Sequence, residues 1–277
     1  MLYVIVISWF VRQSMSMKIA VVGKGGVGKT TIAGTLSRLL ARDSYNVLAV
    51  DADPNLNLYT SLGIEESIAS EIVPISENAE LIRSRTGASF GAILRMNPKV
   101  DDIVDRFGIV GPDGVKLIVM GTVKAGNSGC MCPENAFLRA LMSHILLGRN
   151  DVVVLDMVAG IEHLGRGTAK GVDYMLCVVE PGKKAVTTAK RIFKLAKDIN
   201  VKKFLVVGNK VSNDEDRNFI EAVMGESGME VIGFIPFDEK VKEAELRGIA
   251  LIDLDPDCKA VRAIKEVKNR IFRRDSD

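Results

Sequence analysis

Gly23-Lys24-Gly25-Gly26-Val27-Gly28-Lys29-Thr30-Thr31 is the stretch on which the reading of this chain turns. It fits the pattern G-x-x-x-x-G-K-[ST]. A short apolar run, Lys18 to Val22, precedes it, and a helical pattern, Thr30 to Ala41, follows. That strand–loop–helix context is the one in which the pattern carries chemistry. Glycines let backbone amides turn inward and approach phosphate oxygens closely, and the start of the helix adds partial positive charge. The spacing assigns Lys29 to the β- and γ-phosphates of a bound nucleotide and Thr30, through its hydroxyl, to magnesium. The backbone of Gly23, Gly25, Gly26, Val27, Gly28 and Thr31 forms the rest of the cradle. A ligand-free glycine turn is the bland alternative, and a full match in the right context is much more specific than a lone Gly-x-Gly.

Outward from this loop, short β-branched runs alternate with helical patterns. Val47 to Val50, Lys116 to Met120, Val152 to Leu155, Tyr174 to Val179, Phe204 to Val207 and Val231 to Ile235 read as strands. Most are apolar without alternation, as in strands covered on both faces. Asn135 to Leu147, Lys184 to Ile199 and Asp214 to Ser227 read as helices between them. The pattern predicts an α/β domain, doubly wound, with a mainly parallel sheet and helices on both faces. Ligands then gather at the carboxyl ends of the strands. One domain over 17–277 is the simplest organisation, with an irregular helical insertion around 64–115.

The 277 residues are 47% hydrophobic and 26% charged, which excludes a disordered chain, a collagen and a coiled-coil rod. Lys and Arg number 37 against 35 Asp and Glu, a balance that argues against a protein built to grip nucleic acid. Four cysteines in this length make no disulfide framework and fit reduced thiols in a cytoplasmic setting. The apolar run Leu2 to Val11 is too short to span a bilayer. No basic residue precedes it, so residues 1–16 read as a leader ahead of a natural start at Met17, or as an extra edge strand. Lys259 to Arg274 reads as a basic amphipathic helix, more simply a final helix docked on the domain than a membrane anchor.

Lys24 narrows the class. The form K-G-G-V-G-K-T-T resembles the deviant phosphate loop of the MinD/ParA and nitrogenase iron-protein class. That resemblance implies the P-loop fold, an ATPase with ATP and ADP as ligands, and a homodimer closing over nucleotide. It also implies that Lys24 reaches the partner's nucleotide and neutralises γ-phosphate charge in trans, as an arginine finger does. Further positions match the class. Asp51-Ala52-Asp53-Pro54 ends a strand where a carboxylate can orient the attacking water or hold magnesium-bound water, with Asp53 in the place of the usual catalytic acid and Asp51 among the nucleotide-site residues. Val152 to Asp156 is a Walker-B-like strand whose Asp156 suits an outer-shell magnesium contact. In the following switch, the Gly160 amide would sense the γ-phosphate. Asn209, Lys210 and Pro236 resemble the base-contacting positions.

Cys130-Met131-Cys132 lies in a glycine-rich loop just before a helix that Pro133 starts well. Two cysteines cannot complete a tetrahedral site alone. A two-fold dimer brings four thiolates together, a set that suits zinc or another thiophilic metal. Cys177 reads as a core residue. The nitrogenase iron protein carries its second cluster cysteine where this chain has Ala159, so that type of iron–sulfur ligation is unavailable. The Cys-x-Cys pair, the switch running from Asp156 to His163 and Arg166 to Lys170 together resemble the CooC family of carbon monoxide dehydrogenase maturation ATPases. The resemblance runs from Met17 to near the C-terminus; the leader departs from it. It implies nickel insertion into an apo carbon monoxide dehydrogenase or acetyl-CoA synthase, with no nucleic acid and no stable membrane association. The alternative is a MinD/ParA-like positioning ATPase acting on membrane, DNA or a protein partner. His163 and the Lys183–Lys184 pair read as a structural histidine and a solvated face.

Overall fold

The computed structural model describes residues 16–53, 56–87, 95, 97–121, 133–144, 150–157 and 171–273. Within them an eight-stranded sheet runs in the order β3-β4-β2-β5-β1-β6-β7-β8. Its strands are β1 (Met17–Gly23), β2 (Asn46–Ala52), β3 (Ile109–Val110), β4 (Lys116–Val119), β5 (Asp151–Met157), β6 (Tyr174–Val179), β7 (Lys203–Val211) and β8 (Glu230–Pro236). Every neighbouring pair is parallel except β3 and β4. All seven residues of β1 are buried, because helices cover both faces of the sheet, and this explains the unbroken apolar runs in the sequence.

Alternate residues of each strand feed different cores. Met17, Ile19 and Val21 face one layer and Ala20 and Val22 the other, as the two-residue period of a strand requires. The first layer holds α1 (Lys29–Arg42), the short α2 (Leu58–Leu62) and the terminal helix Lys259–Arg273. The second holds α4 (Ala79–Thr86), α6 (Pro133–His144), α7 (Lys183–Asp198) and α8 (Asp214–Glu226). The stretch between β2 and β4 consists of short pieces. After α2 come α3 (Glu66–Ala69), α4, α5 (Ile103–Phe107) and the two-residue β3. The antiparallel edge strand β3 was not legible in the sequence, since two residues carry no period.

After β8 the chain forms α9 (Glu239–Arg247), α10 (Leu251–Leu254) and α11 (Lys259–Arg273). The apolar stripe of α11 (Val261, Ile264, Val267 and Ile271) is buried in the first layer, and its basic residues point out except Lys268, which is buried and paired with Asp43. The amphipathic pattern is thus the docked terminal helix. Among the described residues no helix is long and apolar enough to cross a membrane. The leader, apart from Ser16, lies outside the described residues.

Candidate nucleotide site

The loop is built by close backbone approaches that only glycine allows. Gly23 closes β1 at φ +147°, where a Cβ would sit 2.5 Å from the Val178 carbonyl oxygen of β6. Gly28 takes a left-handed conformation at φ +93° just before α1, and a Cβ there would meet the Asn209 amide nitrogen at 2.5 Å. Between them lie Lys24, Gly25, Gly26 and Val27, at the carboxyl end of the central strand. α1 has no side-chain N-cap and no acidic residue in its first turn. Its free amides and partial positive charge are therefore left for an anion.

β7 braces this loop from behind. The Asn209 carboxamide donates to the Val27 carbonyl at 2.6 Å, and Lys210 Nζ donates to the Gly26 carbonyl at 2.6 Å. Lys210 sits at φ +58°, where the pairing of β7 with β8 is irregular between Gly208 and Val211. The kink turns consecutive residues of one strand toward the same loop. Pro236 ends β8 in register with Val211, so Asn209, Lys210 and Pro236 share one end of the sheet.

Lys29 is buried, and its Nζ donates to the Lys24 carbonyl at 3.3 Å. Burial pulls its pKa down, opposed by the nearby charges of Asp156 and Asp53. The lysine thus curls over the cradle and keeps a carbonyl contact that a phosphate oxygen can replace.

Three carboxylates converge beside Lys29. The register places Asp51 of β2 opposite Asp156 of β5, and Asp156 opposite Val21 of β1. Asp51 is fully buried, and both of its oxygens accept backbone amides at 3.0 Å, from Asp53 and from Leu58. Its carboxyl is pushed up to about 6 by burial, against those two hydrogen bonds. Asp51 thereby shapes the turn that presents Asp53, which is only half-buried. Asp156 is 1% exposed; it accepts from Thr30, yet its Oδ1 has no hydrogen-bond partner. Burial drives its carboxyl up to about 7, a shift that the Thr30 hydrogen bond and Lys29 resist.

An orphaned buried oxygen is costly unless something polar reaches it. A metal-bound water lying between Thr30 and Asp156 would satisfy that atom and restore the ionised carboxylate. The residues present therefore fit magnesium.

One further residue touches the loop's lysines from outside the nucleotide cradle and was not read from the sequence. Glu180, just past β6, accepts from Lys24 Nζ at 3.1 Å, and its other oxygen lies 3.8 Å from Lys210 Nζ. No motif marks it; only the register of β1 on β6 brings it to the loop.

Cys130, Cys132 and Gly160, together with His163 and Arg166 to Lys170, lie outside the described residues. Among the described residues no group of three or more His, Cys, Asp or Glu could hold a metal ion. Cys177 is fully buried in β6, as expected of a core residue.

Sequence comparison extends these observations. The profile of the CobQ/CobB/MinD/ParA nucleotide binding domain matches residues 18–252. The chain is 46% identical over 261 residues to an uncharacterized ATP-binding protein of Methanocaldococcus jannaschii, covering 93% of this chain and 98% of that one. It is 44% identical over 245 residues to the carbon monoxide dehydrogenase accessory protein CooC of Rhodospirillum rubrum, covering 88% and 92%. The MinD cell division protein of Aquifex aeolicus superposes with a TM-score of 0.67 at 23% identity, over 92% of this chain and 96% of that one, a likeness of fold. The profile covers the loop, the carboxylates and the bracing strand alike, so the chain belongs to the CobQ/CobB/MinD/ParA family of nucleotide-binding domains and is an ATPase.

Proposed function

We propose that the chain is a cytoplasmic, ATP-driven metallochaperone that closes as a homodimer over nucleotide and assists nickel insertion into carbon monoxide dehydrogenase or acetyl-CoA synthase. One observation carries this reading. A protein whose name assigns it to carbon monoxide dehydrogenase shares 44% of its residues with this chain over 92% of its own length. The Cys130-x-Cys132 pair supports it, because a positioning ATPase has no evident use for two thiols in a loop. The terminal helix supports it too. α11 spends its apolar face on the first layer and leaves none for a membrane.

In this reading ATP lies along the loop, with its phosphates on the backbone of Gly23 to Thr31 and the adenine near Asn209, Lys210 and Pro236. Lys29 exchanges the Lys24 carbonyl for β- and γ-phosphate oxygens. Thr30 and, through water, Asp156 would hold magnesium, which would supply charge neutralisation at the phosphates. Asp51 fixes the turn, and Asp53 accepts a hydrogen bond from the attacking water. The water oxygen bonds to the γ-phosphorus as the bond to the ADP oxygen breaks. Lys24 of each subunit reaches the partner's nucleotide and offsets charge that develops at the γ-phosphate, while the Gly160 amide senses that phosphate. Cys130 and Cys132 of both subunits hold nickel or zinc between them, so hydrolysis that loosens the dimer also loosens the metal's thiolate set.

Nickel and zinc titration of anaerobic protein, with and without ATP, tests this when dimerisation is followed alongside. The wild type should take one ion per dimer, and Cys130→Ser/Cys132→Ser should take none. Full stoichiometry and an unchanged oligomer in the double variant would overturn the bridging site. ATP-dependent pelleting with anionic vesicles or duplex DNA would favour the positioning reading instead.

A further inference from the structure

Lys24 is not idle in this structure. The chain leaves β1 at Gly23, which pairs with Val178 of β6. Glu180 lies two residues beyond Val178, so the end of β6 stands beside the start of the loop. Its Oε1 accepts from Lys24 Nζ at 3.1 Å, with the two side chains 36% and 27% exposed. Its Oε2 faces Lys210 Nζ at 3.8 Å, and that lysine is itself tied to the Gly26 carbonyl. One carboxylate therefore sits between two lysines that both touch the loop, and it holds Lys24 against its own subunit. The contact occupies the ammonium that a nucleotide on a second copy would need.

We infer that Glu180 is a cis latch on Lys24, a positioning residue that competes with the second copy's triphosphate for the ammonium and so sets the ATP level at which two copies close. This inference rests on the reading that Lys24 acts in trans. The magnitudes suit a latch. A half-exposed ion pair is a weak contact, whereas a triphosphate in a closed interface offers more negative charge at lower effective dielectric. Glu180 thus delays closure without preventing it. Nucleotide lacking the γ-phosphate presents less charge and leaves the latch engaged.

Glu180→Gln keeps the shape and removes the charge. Dimer formation is followed by sedimentation velocity against a non-hydrolysable ATP analogue. The partly exposed pair corresponds to about 1.5- to 5-fold per latch; two latches open and two nucleotides enter per dimer, so at fixed protein concentration the analogue midpoint should fall by about 1.5- to 5-fold. Turnover per closed dimer should stay constant while the protein concentration needed for half-maximal turnover drops. The second arm places Glu180→Gln on Lys24→Ala, where the shift should vanish because no ammonium remains to be held. A midpoint that stays put or rises in Glu180→Gln overturns the latch. So does a shift of equal size with Lys24 absent, since that would mark general repulsion of phosphate by the carboxylate. Failure of the underlying reading looks different: Lys24→Ala alone would then hydrolyse ATP at the wild-type rate.

Discussion

The Asn209 carboxamide reaches back 182 residues to the Val27 carbonyl and bonds it at 2.6 Å. With the bond from Lys210 to the Gly26 carbonyl, this contact ties the bracing strand β7 to the phosphate loop. The donor is buried, so its loss leaves the carbonyl without a partner as well. Asn209→Ala should weaken ATP binding by about tenfold, the equivalent of one lost buried hydrogen bond of about 1.4 kcal/mol. Calorimetric titration with ATP checks this. Unchanged affinity would show that the loop holds its shape without the Asn209 bond.

Gly28→Ala challenges the same contact from the other side. The new methyl would lie 2.5 Å from the Asn209 nitrogen, on a backbone at φ +93° that side chains rarely adopt. The strain alone costs about 1–3 kcal/mol. Fluorescent-nucleotide binding should therefore fall by at least tenfold while far-ultraviolet circular dichroism stays native.

Asp156→Asn keeps the volume and the Thr30 contact but removes the charge from the orphaned Oδ1. ATP turnover should drop by about 100-fold or more, because the carboxylate proposed to hold the neutralising magnesium is lost. Nucleotide affinity measured without magnesium should change little. If added magnesium sharpens binding in the variant as it does in wild type, Asp156 is not part of the magnesium site.

If Lys24 acts across a closed pair as proposed, Lys24→Ala should bind ATP with near wild-type affinity yet lose most turnover. Mixing it with a nucleotide-binding-deficient but Lys24-intact variant should restore part of the rate. Equal rates for wild type and Lys24→Ala would contradict a role across the interface.

Stability below neutral pH should depend on Arg38. Its guanidinium is 3% exposed and bonds Asp113, Asp253 and the Leu62 carbonyl, joining α1, the turn before β4 and α10. Partial burial pushes the Asp113 carboxyl up, but the hydrogen bonds from Arg38 and Arg42 outweigh it and hold the group below the usual carboxylate range. A depressed folded-state pKa contributes stability that is complete above the ordinary carboxylate range and is lost as pH falls through the lowered value. Thermal melts from pH 7 to pH 3 should show a steeper fall for wild type than for Asp113→Asn. Arg38→Met should cost about 2 kcal/mol at neutral pH, because it removes the buried donor from two carboxylates that keep only Arg42 as a cationic partner. Parallel acid profiles for wild type and Asp113→Asn would remove Asp113 from the account.

How much of this was legible in the sequence differs from feature to feature. The loop was legible because its requirements are local: glycine at fixed offsets, a lysine, a hydroxyl, a strand before and a helix after. The strands of the parallel sheet were legible because burial on both faces leaves continuous apolar runs. The stripe on α11 announced an amphipathic helix but not where its apolar face would go. The two carboxylates at the end of β2 were told apart only by resemblance, which put Asp53 in the place of the catalytic acid. Backbone amides of Asp53 and Leu58 separate them, drawing Asp51 inward and leaving Asp53 at the edge.

By itself, then, the order of residues determined the α/β class, the phosphate loop and the membership that Lys24 marks, since each rests on short-range spacing and on the period of apolar side chains. Only the tertiary structure decided that Glu180 stands on Lys24, that β7 braces the loop through Asn209 and Lys210, and that Asp156 is left with an unpaired buried oxygen. Those relations join residues more than a hundred positions apart. They follow from strand register and burial, properties of the folded sheet that no local pattern encodes.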